Sequence, residues 1–471
     1  MDPAHAESLK DHLIWFNEKG KLTPCGEKAL AFIKSAPKHG LDASIYEKIL
    51  HITEGTSTVD AEHMMTKAME QFARDLTGGA ERDLFAQKHP SLTLILSVSD
   101  IIKKGITSAK DCTLLTYFMP HHVLYKNLQK ALAIYSDYAK KARQEGDPAF
   151  NLTQTLKKGS MGKDVLSLRR YLEFYNYLTP SESTNSSLFD DNVEKAVKDF
   201  QAHHGEEADG VIGPKTQKLF SRTAEDYLKI IRLNLQRWRY LSPLEDKCII
   251  VNVAGYWVSC LEKGHQELWM KAVVGMPSRK TPLFKAPLTH FIFNPTWTVP
   301  DGIFYKDKLP RILQDPDYLD RMSVFMRDHE GMPIDPSTVD WYHDRPRLTY
   351  PPGRSNPLGQ IKFQIQNPYT IYLHDTNQKE LFKKNRRALS SGCVRLEKPM
   401  ELVAWLSHGE KYGTVEEVKQ ALAASHATSW HTLEHPVPVY IVYITAWMGD
   451  DGTVYFSDPY DEDKTALKNF S

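Results

Sequence analysis

The sequence predicts a multidomain α+β protein: a helical N-terminal scaffold, a small three-helix domain and a β-rich domain with an inserted cap. Three observations predict it. A chain of 471 residues exceeds what one ordinary hydrophobic core organises. Apolar positions recur at helical spacing through its first half. From about residue 245 they gather instead into short runs separated by turn residues.

Composition narrows the class before any motif does. The 41% hydrophobic and 25% charged content is that of a folded globular chain. Lys+Arg and Asp+Glu both count 59, so no basic footprint marks a nucleic-acid partner, and none is expected. No window approaches the ~18 apolar residues of a membrane span. The opening Met-Asp-Pro-Ala-His lacks the basic and apolar segments of a secretory signal. Five cysteines (Cys25, Cys112, Cys248, Cys260, Cys393) form neither a disulfide framework nor a C-x-x-C metal spacing. Cys248 and Cys260 flank an expected strand pair, and a disulfide between them stays open.

Residues 1–155 are expected to form the helical scaffold. Ala29, Phe32 and Ile33, then Leu124, Leu128, Ala131, Leu132 and Tyr135, mark apolar helix faces. Pro120-His121-His122 and the Gly-Asp-Pro at 146–148 punctuate them. The histidine pair has no partner at ligand spacing, so ordinary surface or half-buried histidines are expected. Residues 156–221 form the second domain. Gly159 and Gly162 lead to Asp164, an expected helix N-cap, followed by Val165, Leu168 and Leu172 on one face. After a polar loop around 181–187, Val193, Ala196, Val197 and Phe200 repeat the helical spacing. Asp209-Gly210-Val211-Ile212-Gly213-Pro214 then turns the chain into a short third helix ending near Leu219.

Residues 222–471 are expected to form the β-rich domain. Its strands are anticipated at Ile249–Val253, Tyr256–Cys260, Leu268–Val274, Ile361–Ile365, Thr370–Leu373 and Val437–Trp447. The stretch of about 301–357, rich in charge and proline, interrupts them as a cap. An insertion of that length is usually a lid or binding loop.

The chemistry concentrates in Tyr372-Leu373-His374-Asp375-Thr376 and Ser390-Ser391-Gly392-Cys393-Val394-Arg395-Leu396. The histidine ends an apolar run that can hold its ring rigidly. The cysteine follows a glycine, where a backbone amide can approach a reacting carbonyl. Cysteine acyl transfer needs a thiolate, a base that takes and returns a proton, and donors for the oxyanion. Cys393 is the expected nucleophile and His374 the base. A neighbouring imidazolium would lower the thiol from its usual ~8.5. The Gly392 and Cys393 amides are expected oxyanion donors, with the Tyr372 hydroxyl a further candidate. Arg395 could grip a substrate carboxylate in bidentate fashion.

These residues resemble the YkuD-type L,D-transpeptidase motif, a histidine followed after a gap by Ser/Thr-His-Gly-Cys. Ser391 here replaces the motif's second histidine, and Arg395 stands where many members have Asn. Both departures are similar to those of a large periplasmic subfamily. The blocks "VNVAGYWV", "VVGMPSRKTP", "FNPTWTVP", "PPGRSNPLGQIKF" and "PVYIVYITAWMGDDGTVYF" fit the same subfamily. The 156–221 segment resembles the type 1 peptidoglycan-binding domain, through Leu156, Gly159, Gly162, Asp164, Val165, Leu168, Ala196, Val197, Phe200, Gln201, Asp209, Gly210, Gly213 and Thr216.

The resemblance implies a cysteine acyltransferase of peptidoglycan stem peptides. Cys393 would attack the third residue of a tetrapeptide donor, release D-Ala, and pass the acyl group to a diamino-acid side chain as a 3→3 cross-link. His374 would move the protons, and the cap would exclude water. Ser391, Asp375, Trp297 and Tyr305 are expected beside Arg395 on the substrate side, the two aromatics serving equally well as core. Carbapenems are expected as covalent inhibitors. No metal or organic cofactor is expected. The resemblance implies the periplasm, with the export signal and any membrane anchor absent from this chain. The same thioester met by water or another amine would give an L,D-carboxypeptidase or a protein-attachment enzyme. A different class is a non-catalytic wall-binding scaffold, against which the intact His374/Cys393 pair argues. Ser35-Ala-Pro-Lys38 matches S-x-x-K, but no S-D-N follows and Lys280-Thr281-Pro282 is not K-T-G. Ser407-His408-Gly409 mimics half the transpeptidase motif without its cysteine.

Overall fold

The computed structural model describes residues 13–469 apart from 54, 79–80, 93–119, 153, 180–185, 242, 316, 329 and 410, so Cys112 lies outside the described residues. The chain divides into two units, one running to Glu245 and resuming at Ile444, the other spanning Asp246–Tyr443.

In the first unit, helices Pro24–Lys34, Ala43–Ile49 and Thr58–Leu76 bury Ile33, Tyr46, Met65, Met69, Phe72 and Leu76 in one core. Cys25 is disulfide-bonded, a bond the scattered cysteines did not announce. The helix Val123–Glu145 buries Leu128, Ala131, Leu132 and Tyr135, as its spacing predicts. His122 is that helix's N-cap: its buried ring nitrogen accepts from the Tyr125 amide at 3.2 Å. The second domain contributes helices Lys163–Phe174, Asp191–His203 and Pro214–Phe220. The first of these is capped by Gly162, not Asp164, which lies inside the first turn, where its charge suits the helix dipole. Buried Gln201 bonds Asp209, the Val211 carbonyl and the Gly210 amide, so the Phe-Gln and Asp-Gly signals build one turn.

Two segments read with the β-rich domain pack in this first unit. Helix Ala224–Tyr240 starts with a Thr223/Asp226 capping box and is buried around most of its girth. Buried Asn234 donates to the Thr445 hydroxyl at 2.9 Å and accepts from the Thr445 amide at 2.7 Å. The hairpin Ala446–Met448/Val454–Phe456 follows, with Phe456 against Tyr135 and Tyr227. The single strand anticipated over Val437–Trp447 is therefore two, broken where the chain passes from one core to the other.

The second unit holds strands β1 (Lys247–Asn252), β2 (Trp257–Glu262), β3 (His265–Gly275), β4 (Phe284–Phe293), β5 (Trp297–Thr298), β6 (Phe325–Arg327), β7 (Arg347–Tyr350), β8 (Ile361–Ile365), β9 (Leu373–His374), β10 (Ala388–Ser390), β11 (Val394–Leu396) and β12 (Ser429–Val442). The main sheet runs β10-β3-β11-β9-β8-β4-β12-β1-β2, and a further β2–β3 pairing closes it on itself. Closure removes the open edges a sheet otherwise exposes. Cys248 and Cys260 sit one register step apart on β1 and β2, so their side chains leave opposite faces and no disulfide joins them. The insertion forms its own three-stranded sheet, β5-β7-β6, over a core of Val299, Phe304, Ile312, Met322, Met326, Leu348 and Tyr350.

Candidate active site

Strand pairing assembles the site. β9 lies parallel to β11 with His374 opposite Arg395, and antiparallel to β8 with His374 opposite Lys362. Side chains directly opposite share a face, and alternate residues repeat it. Register therefore puts Lys362, His374 and Arg395 on one face of the sheet, and Tyr372, whose ring meets His374 and the Lys362 ammonium, hydrogen-bonds Cys393. Only His374 and Cys393, with Tyr372 and Arg395, were singled out from sequence. Lys362 carries no local signal, because its place depends on strand register.

The turn bearing the nucleophile candidate is held from several sides. Gly392 has φ +123°, a backbone conformation that L side chains rarely adopt, so glycine is favoured there. Its carbonyl accepts from the buried Thr281 hydroxyl at 2.7 Å, which in turn accepts from the Gly275 amide at 2.9 Å. Gly275 must be glycine, since a Cβ would lie 2.2 Å from the Arg279 carbonyl. The Gly392 N–H, expected at an oxyanion, instead donates to Ser390 Oγ at 3.1 Å, and Ser390 donates to the Cys393 carbonyl at 2.6 Å.

His374 is buried, with Nδ1 2.5 Å from the Asp375 carbonyl oxygen. A carbonyl can only accept, so Nδ1 carries the proton and Nε2 is left as the basic nitrogen. Burial first, then the charges of Arg395, Lys362 and Lys379, push the imidazole down to about 3. Burial likewise pushes the Cys393 thiol up, against the Tyr372 hydrogen bonds and the charges of Lys362 and Arg395. Desolvation thus favours the uncharged form of both members, the opposite of an imidazolium that would acidify the thiol. The Cys393 sulfur lies 4.0 Å from the Thr370 carbonyl. Asn367 positions that loop, accepting from the amides of Tyr369 and Ile371 and donating to the Ile371 carbonyl.

The substrate-side residues divide. Trp297 Nε1 donates to the Tyr372 hydroxyl at 3.0 Å, joining the cap sheet to the site. Arg395 spends one guanidinium nitrogen on Gln378 Oε1 at 2.5 Å. Asp375 is buried, accepting from the Gln360 amide at 2.8 Å and paired with Lys379, so its carboxylate faces the protein and not a ligand. Tyr305 is exposed on the cap beside Phe304 and Arg345. Exposed Ser391 accepts from Arg279, whose guanidinium also grips Asp307 of the cap in bidentate fashion at 2.5 and 2.7 Å. Arg279 and Asp307 were not singled out in the sequence. Arg279 lies inside the block "VVGMPSRKTP", and Asp307 sits in the π-helical segment Phe304–Lys308.

Comparison with known proteins follows the same division of the chain. Residues 246–418 match the family model described as the YkuD L,D-transpeptidase catalytic domain. Residues 161–219 match a "Putative peptidoglycan binding domain" and residues 7–132 a scaffold domain. The chain is 32% identical over 237 residues to a Haemophilus influenzae protein named "Putative L,D-transpeptidase". That alignment covers 50% of this chain and 48% of the relative, so the chain spans about half the length of the curated relative it matches. Solved structures similar to it include an L,D-transpeptidase from Mycobacterium smegmatis, 14% identical, covering 42% of this chain and 58% of that one, with a TM-score of 0.21. An Enterococcus faecium L,D-transpeptidase is 11% identical, covering 57% and 88%, with a TM-score of 0.23. By its three matched segments the chain contains a YkuD-type L,D-transpeptidase catalytic domain, with a scaffold domain and a peptidoglycan-binding-type domain ahead of it.

Proposed function

We propose that this chain is a peptidoglycan L,D-transpeptidase that forms 3→3 cross-links through a thioester on Cys393. The observation that carries the reading is that Tyr372 meets both the His374 ring and Cys393, while the His374 Nδ1 proton is committed to a carbonyl. In the first step the Cys393 sulfur attacks the carbonyl of the donor stem's third residue, and its proton passes to His374 Nε2. The C–N bond breaks, the same proton goes to the departing amine, and D-Ala leaves. The acceptor's side-chain amine then attacks the thioester, His374 takes one of its protons, and the thiol is restored. The Cys393 amide supplies an oxyanion donor, and the Tyr372 hydroxyl stands beside the sulfur.

The cap, joined through Trp297 and Arg279, is suited to exclude water from the thioester. Trp297 lines the donor groove, with Arg395, Ser391 and Tyr305 on its margins. The peptidoglycan-binding-type domain and the disulfide at Cys25 support action outside the cytoplasm, in the periplasm. The strained amide of a carbapenem presents the same electrophile, so Cys393 is expected to open it.

The test incubates the protein, and a Cys393→Ala variant, with disaccharide-tetrapeptide and separately with disaccharide-pentapeptide, and reads products by mass spectrometry. A dimer lacking one D-Ala, made from tetrapeptide only and absent in the variant, supports the reading. Monomeric tripeptide without dimer would replace it with an L,D-carboxypeptidase. No product and no carbapenem adduct on Cys393 would leave a wall-binding scaffold.

A further inference from the structure

Lys362 stands on β8, opposite His374 on one side and Ile292 of β4 on the other. A lysine in the middle of a closed sheet is costly, because burial removes hydration that only a counter-charge restores. Its ammonium lies 4.3 Å from the centroid of the Tyr372 ring. That contact is attractive but leaves the charge uncompensated. Among the described residues no carboxylate pairs with it. The one carboxylate beside the histidine, Asp375, is committed to Lys379 and the Gln360 amide. Burial holds the ammonium below its ordinary range, and the nearby group favouring its charged form is Cys393. The second cation of the face, Arg395, already has one nitrogen bound to Gln378. The site therefore presents a half-buried cation, aimed at the sulfur's side of the sheet, with no anion of its own.

We propose that Lys362 is the specificity-determining anion site of the donor pocket: its ammonium takes the free carboxylate that lies one residue beyond the scissile amide. This rests on the transferase reading above. In a donor ending at its fourth residue, that carboxylate is two bonds from the leaving nitrogen. In a donor one residue longer, an uncharged amide occupies the place and the carboxylate lies a residue further out. Lys362 thus selects the shorter stem through charge, and the anion it lacks at rest arrives with the substrate.

The experiment has two arms on the full chain. The first compares alkylation of Cys393 by iodoacetate and iodoacetamide. Both reagents consume the thiolate, so their rate ratio cancels the thiolate fraction and reports the charge felt by an incoming carboxylate. Lys362→Gln is expected to lower the iodoacetate-to-iodoacetamide ratio about tenfold, and Lys362→Arg to keep it within about twofold. The second arm compares a tetrapeptide donor with the same donor amidated at its C-terminus. The wild-type protein should prefer the acid by about tenfold or more in kcat/KM, and Lys362→Gln should abolish that preference through KM. An unchanged alkylation ratio overturns the proposal, as equal falls with both reagents mean that Lys362 only stabilises the thiolate. A lowered ratio with acid preference intact overturns it too. If the wild-type protein turns over neither donor while the ratio still falls, the transferase reading alone fails, and an anion site beside a reactive thiol stands.

Discussion

The sheet and the cap solve different problems with the same chain. His374 and Cys393 lie where neighbouring strands fix the register from both sides, on a sheet closed by the β2–β3 pairing. The cap is a short β5-β7-β6 sheet with its own apolar core, from Val299 to Tyr350. It meets the catalytic turn through polar contacts: Arg279 between Asp307 and Ser391, and Trp297 on Tyr372. A core of its own lets the cap change without disturbing the dyad, and the polar contacts make its position a separate variable. On the proposed function, chemistry falls to the sheet and the fate of the acyl group to the cap.

The sharpest way to break that division is to strike the sheet alone. His374→Gln is expected to lower release of D-Ala from tetrapeptide by about 10²–10⁴-fold, the usual worth of a positioned base. Because the cap's core is untouched, proteolysis within 301–357 should be unchanged. A variant that keeps near-normal turnover would move the base elsewhere.

A second expectation concerns pH and tests the uncharged dyad. With the thiol held above its ordinary value by burial, the thiol form dominates at pH 7. Alkylation of Cys393 by iodoacetamide should therefore climb steadily from pH 7 to beyond 9. The imidazole at about 3 stays neutral over that whole range, so no inflection near 6.5 is expected. A plateau at neutral pH would reveal a thiolate–imidazolium pair and refute the resting state described here.

Striking the latch alone should change partition more than rate. Arg279→Ala is expected to shift products about tenfold from cross-linked dimer toward hydrolysed tripeptide, while carbapenem acylation of Cys393 changes little. Asp307→Asn should do the same, and the double variant should add nothing, since both remove one bidentate pair. An acylation loss as deep as that of His374→Gln would mean that the cap is part of the chemistry and the comparison false.

Legibility in the sequence followed the same line. The dyad is written in local motifs, and glycine at 392 is favoured by the local φ of +123°. The three-helix rhythm of Val165, Leu168, Val193 and Phe200 was equally plain, since helical faces repeat within a few residues. What stayed hidden depends on distant partners. Lys362 meets His374 only through the β8–β9 register, and Arg279 meets Asp307 across 28 positions. Helix Ala224–Tyr240 and the tail after Ile444 read as part of the β-rich domain, because nothing local says which core their apolar faces will join. Gly392 and Asp375 were read by residue type, and neighbouring partners, Ser390 and Gln360, had already taken their hydrogen-bonding groups.

The mildest probe sits where cap and sheet touch. Trp297 stacks on Tyr350 at 5.5 Å in the cap and donates to the Tyr372 hydroxyl on the sheet side. Trp297→Phe keeps an aromatic face and deletes only the N–H donor. One ordinary hydrogen bond is worth about 1 kcal/mol, so a loss of about fivefold in D-Ala release is expected, with the melting temperature unchanged. A much larger loss would mean that the Tyr372 hydroxyl must be held by the cap before the thiol can react, and closure would then precede chemistry. No loss at all would confine Tyr372's role to the sheet, leaving Arg279 as the cap's grip on the site.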